Sequence, residues 1–178
     1  MKYNLLATTD QLNLSQACSE LWMNLRAVGD ERPKVDRSRV KGLILAYTNL
    51  DPIEAVHLLR EHMKAEPSRH KAVYRLMPIH TWVETDVETI VETVRSQIGR
   101  IGEEESFRIT LEKRRTRLNS LEIIEPVAEA VDRRVDLGNP DWVVLIEILG
   151  TEAGVSVIKP SDMLNVQKER YRLSTEGQ

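Results

Sequence analysis

Short β-prone segments alternate with amphipathic helical patterns along most of this chain of 178 residues, and this alternation constrains the fold more than any other feature. Strands show apolar runs or period-two alternation, whereas helices repeat their apolar residues every three to four positions. Such alternation predicts a mixed α/β (α+β) architecture. The predicted strands cover 3–8, 42–47, 73–79, 107–111, 142–149 and 154–158, and the predicted helices cover 14–28, 51–66, 86–102 and 120–135.

The first half of the chain predicts a ferredoxin-like unit. Its order of strand, helix, strand, helix and strand matches much of that fold. Asp51 is the expected N-cap of the second helix, with Pro52 at the first helical position and Glu54 completing a capping box. The stretch 34–40 is too polar to assign. We therefore predict an N-terminal ferredoxin-like domain at residues 1–82.

The second half predicts a strand-helix-strand unit followed by a hairpin. Pro126 interrupts the last helical pattern, so that this helix starts at Glu125 or bends there. "NPDWVVLIEILG" contains a buried parallel strand, and "GVSVI" after it pairs back as a hairpin. These segments make up a second domain at residues 83–165, and residues 166–178 are expected to form a C-terminal tail.

Composition excludes several classes of protein. The formal charge is −3, and the single Cys rules out a disulfide framework and leaves no Cys/His metal motif. The chain shows neither a cleavable leader nor an apolar run long enough to cross a membrane, so we expect a cytoplasmic protein with no membrane contact. Aromatic residues make up 4% of the chain, which makes an exposed stacking platform unlikely to dominate any binding of nucleic acid.

The basic segment is the feature that points to a ligand. In "ITLEKRRTRLNS", Lys113, Arg114, Arg115 and Arg117 follow a predicted strand within five positions. The loop after the first strand of a crossover lies at the sheet edge where ligands usually bind, and a polyphosphate would turn repulsion among these cations into attraction. The alternative is a solvated face on which these cations pair with nearby carboxylates, such as Glu112 and those of 103–105.

These residues also carry a family resemblance. The strand "FRITLEKRR" after the helix "ETIVETVRSQI", then "VDLGNPDWVV", then "GVSVIKP", resemble a THUMP domain in content and order. The chain is most similar to the stand-alone THUMP proteins related to the tRNA acetylation adaptors of yeast and archaea. The N-terminal "YNLLATT" and "LDPIEAVHLLR" fit the ferredoxin-like domain that accompanies THUMP domains, so the resemblance covers nearly the whole chain.

The resemblance implies tRNA binding at the acceptor stem and its 3′ CCA end. It further implies that the protein presents tRNA to a separate RNA acetyltransferase that forms N4-acetylcytidine and carries the acetyl-CoA and ATP sites. On this basis the RNA-binding residues are Lys113, Arg114 and Arg117, with Arg115 adjacent and Lys159 after the final strand. The adaptors of this family are not catalysts.

The residues themselves agree with a non-catalytic role. About twenty residues follow "GVSVIKP", so we expect no catalytic domain of the kind that THUMP enzymes carry. No G-x-G-x-x-G or Walker loop occurs, and neither a cofactor nor a metal is expected. Cys18 lies on an apolar helical stripe and is expected in the core, and the spacing of His57 and His62 does not direct both to one metal. His70 and His80 are assigned no chemistry.

Other readings stay open. The basic segment could dock an acidic protein, or the chain could serve a different RNA-modifying enzyme; a hydrolase is disfavoured because no nucleophile-base constellation is present. Two further groups of cations could extend an RNA track or be ordinary solubilising charge. These are Arg32, Lys34, Arg37, Arg39 and Lys41 in one group, and Arg69, Lys71 and Arg75 in the other.

Overall fold

The computed structural model describes residues 2–177, which form five α-helices and two five-stranded sheets. The mixed α/β (α+β) class predicted from the sequence is confirmed. The chain divides into two compact units, one made of residues 2–78 with 161–177 and the other of residues 79–160. Among the described residues, no helix is both long enough and apolar enough to span a membrane.

The first unit begins with a ferredoxin-like arrangement. Four strands pair antiparallel in the order β4-β1-β3-β2, and two helices cross between them, which is the βαββαβ pattern of that fold. Alternate residues of the central strands pack against both helices, as Leu5, Ile44, Leu25 and Val56 illustrate. The elements are β1 (Leu5–Thr8), α1 (Leu14–Ala27), β2 (Lys34–Arg37), β3 (Leu43–Tyr47), α2 (Pro52–Ala65) and β4 (Arg75–Pro78).

Local signals explain the boundaries of these elements. Asp51 caps α2, with its Oδ1 accepting from the Glu54 amide at 3.0 Å, as the sequence predicts. Gly42, which precedes β3, adopts φ +75° while its Cα faces the Thr9 carbonyl so closely that a Cβ would lie 2.6 Å from that oxygen. Cys18 packs partly buried against the core, as expected, and burial raises the pKa of its thiol.

The second unit is a mixed sheet covered on one face by two helices. Its strand order is β5-β9-β8-β6-β7, with β6 parallel to both β8 and β7 and the remaining pairs antiparallel. Phe107, Val144 and Ile146 of this sheet share a core with Ile90 and Ile123 of the helices. The elements are β5 (Thr81–Glu84), α3 (Val87–Arg95), β6 (Ser106–Arg114), α4 (Ser120–Val131), β7 (Arg134–Val135), β8 (Trp142–Leu149) and β9 (Glu152–Ile158).

The end of the predicted second domain and the predicted C-terminal tail form two further elements of the first unit. β10 (Leu164–Asn165) adds to the free side of β4, and α5 (Val166–Glu176) follows it. Arg60 of α2 holds this segment, donating from Nε to Glu169 at 2.8 Å and from a terminal nitrogen to the Met163 carbonyl at 2.9 Å. The units defined by contacts therefore differ from the sequence-based division into 1–82, 83–165 and 166–178.

Several predicted element ends are wrong. The helix expected over 86–102 stops at Arg95, because Ser96 donates its hydroxyl to the Thr93 carbonyl and the chain tightens into the 3₁₀ turn Ile98–Arg100. The helix expected over 120–135 neither starts at Glu125 nor reaches Val135. It begins at Ser120, passes through Pro126 and ends where Asp132 turns left-handed at φ 49°.

Four strands have no counterpart in the sequence analysis, namely β2, β5, β7 and β10. Each is an edge strand or pairs over only two residues. Edge strands bury one side at most, so their apolar pattern is weak and tertiary pairing decides their structure.

A buried imidazole gives the first unit a pH-dependent stability. His70 is 4% exposed and shares a hydrogen bond of 2.7 Å with His62. Burial, together with the nearby His62 and Arg170, lowers the pKa of His70 from 6.5 to about 4. The folded protein therefore keeps this ring neutral under conditions in which the unfolded chain protonates it.

We expect the free energy of unfolding to fall between about pH 7 and pH 4, by up to about 3 kcal/mol from this residue. The contribution is complete above the unfolded pKa of 6.5 and is lost as pH falls toward the folded value of about 4. Urea unfolding across this range measures it. His70→Gln should flatten the profile and His80→Gln should not; equal slopes for all three proteins would contradict the assignment.

Candidate nucleic-acid interface

The basic segment lies where β6 ends. Lys113 and Arg114 are the last two residues of that strand, not loop residues as predicted, and Arg115 and Arg117 follow before α4 begins. Because β6 and β8 run parallel, their carboxyl ends meet at this edge, where Arg114 lies beside Leu149. β5 is antiparallel to β9, and β9 to β8, so β5 ends at the same edge. The N-termini of α3 and α4 follow β5 and β6 there.

Arg114 is bound to a buried carboxylate. One of its terminal nitrogens donates to Glu147 Oε2 at 2.6 Å, and the Glu147 side chain is 2% exposed. Glu147 interrupts the apolar run of β8, and the sequence analysis left it without a role. The pairing explains why a charge is tolerated there, since a buried carboxylate needs a charged, hydrogen-bonded partner. A guanidinium carries five N–H donors, so Arg114 retains others for a ligand.

Lys113 helps to shape the segment. It points to the other face of β6, and its Nζ donates to the Leu118 carbonyl at 2.9 Å. The amide of Leu118 in turn donates to Thr116 Oγ1 at 3.3 Å. The ammonium is exposed, so Lys113 closes the turn between β6 and α4 while its charge remains at the surface.

The backbone changes direction at Arg115, which adopts φ 58°. A non-glycine residue in the left-handed region costs about 1–2 kcal/mol, and such residues concentrate at functional sites. Across the edge, Gly150 has φ 61° and donates its amide to the Arg114 carbonyl at 2.8 Å. Arg115 and Arg117 are both exposed, and within residues 2–177 the Arg117 side chain makes neither a hydrogen bond nor an ion pair.

The N-terminus of α4 adds to the positive potential. Asn119 caps this helix, accepting from the Leu121 amide at 2.9 Å, while Glu122 accepts from the Asn119 amide at 3.1 Å. Helix N-termini carry a partial positive charge. The basic segment and this helix end therefore act in the same direction on an approaching anion.

Of the carboxylates considered as partners of these cations, the acidic run lies at the other end of β6 and Glu112 lies next to Lys113. The acidic run at 103–105 precedes β6, at the far end of a nine-residue strand, where Glu105 accepts from the Gly102 amide at 2.8 Å. Glu112 is exposed one position before Lys113. The ion pair that Arg114 makes is with Glu147, a residue 33 positions away in sequence.

Lys159 does not join the basic segment. It follows the last residue of β9, and β9 runs antiparallel to β8, so Lys159 lies beside the start of β8. Its Nζ is 5.6 Å from the ring centroid of Trp142, the first residue of β8. The register between β6 and β8 places that end seven residues, or roughly 23 Å, from Arg114. Lys159 therefore lies apart from the other four cations, and its part in RNA binding stays a prediction.

The two other groups of cations are also separate from each other. Lys34 and Arg37 lie on β2, and Arg75 lies on β4, with β3 and β1 between those strands. Within the residues that the structure describes, no three His, Cys, Asp or Glu side chains are placed to hold a metal ion.

The family comparison identifies the second unit. Residues 84–158 match the family model of the THUMP domain. This part of the chain is a THUMP domain. It contains α3, α4 and strands β6 to β9, and the basic segment lies inside it. No curated protein sequence matches the chain.

Solved structures agree with the fold of both units. PH1313 from Pyrococcus horikoshii Ot3 superposes with a TM-score of 0.62 and 24% identity, over 88% of this chain and 55% of that one. TrmN from Thermus thermophilus superposes with a TM-score of 0.54 and 19% identity, over 86% of this chain and 44% of that one. A 4-thiouridine synthetase, solved with RNA and bound ATP, superposes with a TM-score of 0.54 and 14% identity, over 88% of this chain and 42% of that one. At such identities the likeness concerns fold alone, and this chain spans about half the length of those proteins.

The buried pair predicts different effects for neighbouring cations. Arg114→Met should destabilise the protein by about 3 kcal/mol, because it leaves the Glu147 carboxylate buried and unpaired. Lys113→Met should cost less than about 1 kcal/mol, because the Leu118 carbonyl can bind water instead. Urea unfolding measures both values.

The double variant Arg114→Met with Glu147→Leu is the matched control. Removing both charges should recover most of the lost stability. If Arg114→Met alone is as stable as Lys113→Met, the ion pair has no structural role and Arg114 is available entirely for a ligand.

Proposed function

We propose that this protein binds tRNA through its THUMP domain and presents it to a separate RNA-modifying enzyme. The observation that carries this proposal is the concentration of four cations at the edge where β6 and β8 end, beside the N-terminus of α4. The THUMP domain supports binding of RNA and a part in its modification. The synthetase that shares this fold was solved in complex with RNA, which agrees with the same class of ligand.

The arrangement suits recognition of shape and charge more than of sequence. The exposed Arg115 and Arg117 can each hold a phosphate through two N–H groups, and the helix N-terminus favours anions nearby. A-form stems offer phosphates and 2′-hydroxyl groups but hide their bases in a deep groove. An acceptor stem with its free 3′ CCA end is therefore a suitable target, with the end nucleotides within reach of the backbone amides around the turn.

The finer proposal is that the partner enzyme is an acetyltransferase that forms N4-acetylcytidine. It rests on the resemblance of the basic segment and its flanking motifs to the acetylation adaptors. In this proposal the protein contributes RNA binding, while acetyl-CoA, ATP and the transfer chemistry belong to the partner. The second candidate is that it serves a different RNA-modifying enzyme, since the proteins of similar fold include a 4-thiouridine synthetase and putative methyltransferases.

We expect Arg115→Gln combined with Arg117→Gln to weaken tRNA binding by about 10-fold at moderate salt and to lower the log–log salt slope by about 2, because two phosphate contacts are lost. Both side chains are exposed, so the fold should remain intact. Filter binding at several salt concentrations measures both quantities.

Arg134→Gln combined with Arg95→Gln is the matched control. It removes the same charge from exposed positions, one on β7 beside the start of β6 and one at the end of α3.

Full-length tRNA should also bind more tightly than tRNA lacking its 3′ CCA. Equal losses in the two double variants would show that net charge alone matters, and an absence of tRNA binding would favour docking of an acidic protein.

The acetylation proposal has its own assay. Adding this protein to an RNA acetyltransferase, acetyl-CoA, ATP and tRNA should raise the yield of N4-acetylcytidine, and the Arg115 and Arg117 variant should raise it less. Stimulation of thiolation or methylation instead, with no gain in acetylation, would select the second candidate.

A further inference from the structure

The first unit has an open pocket of about 480 Å³ that no part of the proposed function uses. It is lined by Lys2, Tyr3, Arg32, Lys34 and Tyr47. The sequence analysis named Arg32 and Lys34 among possible RNA contacts but did not associate any tyrosine with them. Three cations and two phenol rings around one pocket form an unusual combination in a chain with 4% aromatic residues.

Strand pairing brings these residues together. Lys34 on the edge strand β2 lies directly opposite Tyr47 on β3, so both side chains project from the same face of the sheet. The segment before β1 is fixed to the end of β3 by Asn4, whose side chain donates to the Thr48 carbonyl and accepts from the Thr48 amide, each at 2.9 Å. These bonds hold Lys2 and Tyr3 beside Tyr47.

The two nearest aspartates are hydrogen-bonded to neutral groups and form no ion pair with the cations of the pocket among the described residues. Asp36 accepts from the Tyr3 hydroxyl at 2.8 Å, and this hydrogen bond raises the pKa of Tyr3. The buried Asp30 accepts from the Thr48 hydroxyl at 2.7 Å and from backbone amides.

All three cations of the pocket are exposed at the surface. Among the described residues, the side chains of Lys2, Arg32 and Lys34 make neither hydrogen bonds nor ion pairs, and the exposed Glu31 pairs with none of them. The three cations of the pocket are therefore available to an anion, which could bind all three.

The tyrosines narrow the choice of ligand. Tyr47 is 37% exposed, so part of its ring faces solvent. An aromatic face binds a flat ring by stacking, whereas inorganic phosphate uses only the cations. A ligand that satisfies both features carries a phosphate and a flat aromatic ring. Nucleotides have this chemistry, and a nucleotide inside a duplex has its base already stacked and paired.

We propose that this pocket binds a nucleoside phosphate, supplied by one unpaired nucleotide of RNA. The base lies against Tyr47, and the phosphate lies among Lys2, Arg32 and Lys34. This inference extends the proposed function by assuming that RNA is the ligand, but its residues belong to the ferredoxin-like part of the chain and not to the THUMP domain.

The test compares binding of a labelled single-stranded RNA oligonucleotide of about eight residues with that of a blunt RNA duplex of equal length, by fluorescence anisotropy. Tyr47→Ala should weaken binding of the single strand by about 10-fold and leave the duplex unchanged, because only the single strand has a base free to stack on the ring. Tyr47→Phe should retain the affinity, since it preserves the ring. Lys34→Gln should weaken binding and lower its salt dependence.

Tyr171→Ala and Lys168→Gln are matched controls in the same unit. Both positions are exposed on α5, and neither lines the pocket. Thermal unfolding of each variant checks that the fold is retained. If Tyr47→Ala binds the oligonucleotide as tightly as Tyr171→Ala does, the pocket assignment is overturned.

Competition separates the possible sources of the ligand. An RNA nucleotide is supported if a free nucleoside monophosphate competes weakly with the labelled oligonucleotide and inorganic phosphate competes still less. A mononucleotide that binds more tightly than the oligonucleotide, with the same dependence on Tyr47, would overturn the assignment to RNA in favour of a free nucleotide.

A background variant makes this failure distinguishable from failure of the proposed function. In a protein that already carries Arg115→Gln and Arg117→Gln, the loss caused by Tyr47→Ala should persist. Suppose that this loss persists, but that Arg115→Gln with Arg117→Gln does not weaken tRNA binding of the otherwise unchanged protein. The pocket assignment then holds and the THUMP assignment fails. If the double variant weakens tRNA binding and Tyr47→Ala causes no loss, only the pocket assignment is overturned.

Discussion

The parallel pairing of β6 with β8 is the constraint on which the candidate interface depends. Two parallel neighbours cannot be joined by a tight turn, so the chain must cross over, and here it does so through α4. The crossover starts at the carboxyl end of β6, where it places a sharp change of direction, a helix N-terminus and the ends of β5 and β8 at one edge. A basic segment at this point in the sequence is therefore exposed beside a helix N-terminus and two other strand ends. An antiparallel hairpin at the same position would have left it on an ordinary loop.

Within that edge the cations have different roles. Arg114 compensates a carboxylate buried in the neighbouring strand, and Lys113 closes the turn through the Leu118 carbonyl. Arg115 and Arg117 face solvent beyond them. The strained backbone at Arg115 costs about as much as one good hydrogen bond provides, and the bonds from Lys113 and Gly150 on either side hold it in place. The first pair thus forms contacts that shape this edge, while the second pair presents exposed charge beside it.

The first unit shows the same division between scaffold and free charge. Asp30 and Asp36 accept hydrogen bonds from hydroxyl groups, and among residues 2–177 neither forms an ion pair with Lys2, Arg32 or Lys34. An overall acidic chain can therefore present local positive surfaces, because its acidic residues are bound elsewhere or lie at other strand ends. Net charge describes behaviour such as solubility, whereas ligand binding depends on which charges the fold leaves unpaired.

Sequence patterns alone determined the α/β class, the main strands and helices, and the position of the basic segment, because the core residues of these elements repeat with clear periods of two or 3.6. The edge strands β2, β5, β7 and β10 were missed because a strand with one neighbour buries too little to show a pattern. Only the tertiary structure separated Lys159 from the basic segment, paired Arg114 with Glu147 and set Lys34 opposite Tyr47. Each of these relationships follows from strand direction and register, which depend on contacts between residues far apart in the chain and leave no local signal in the sequence.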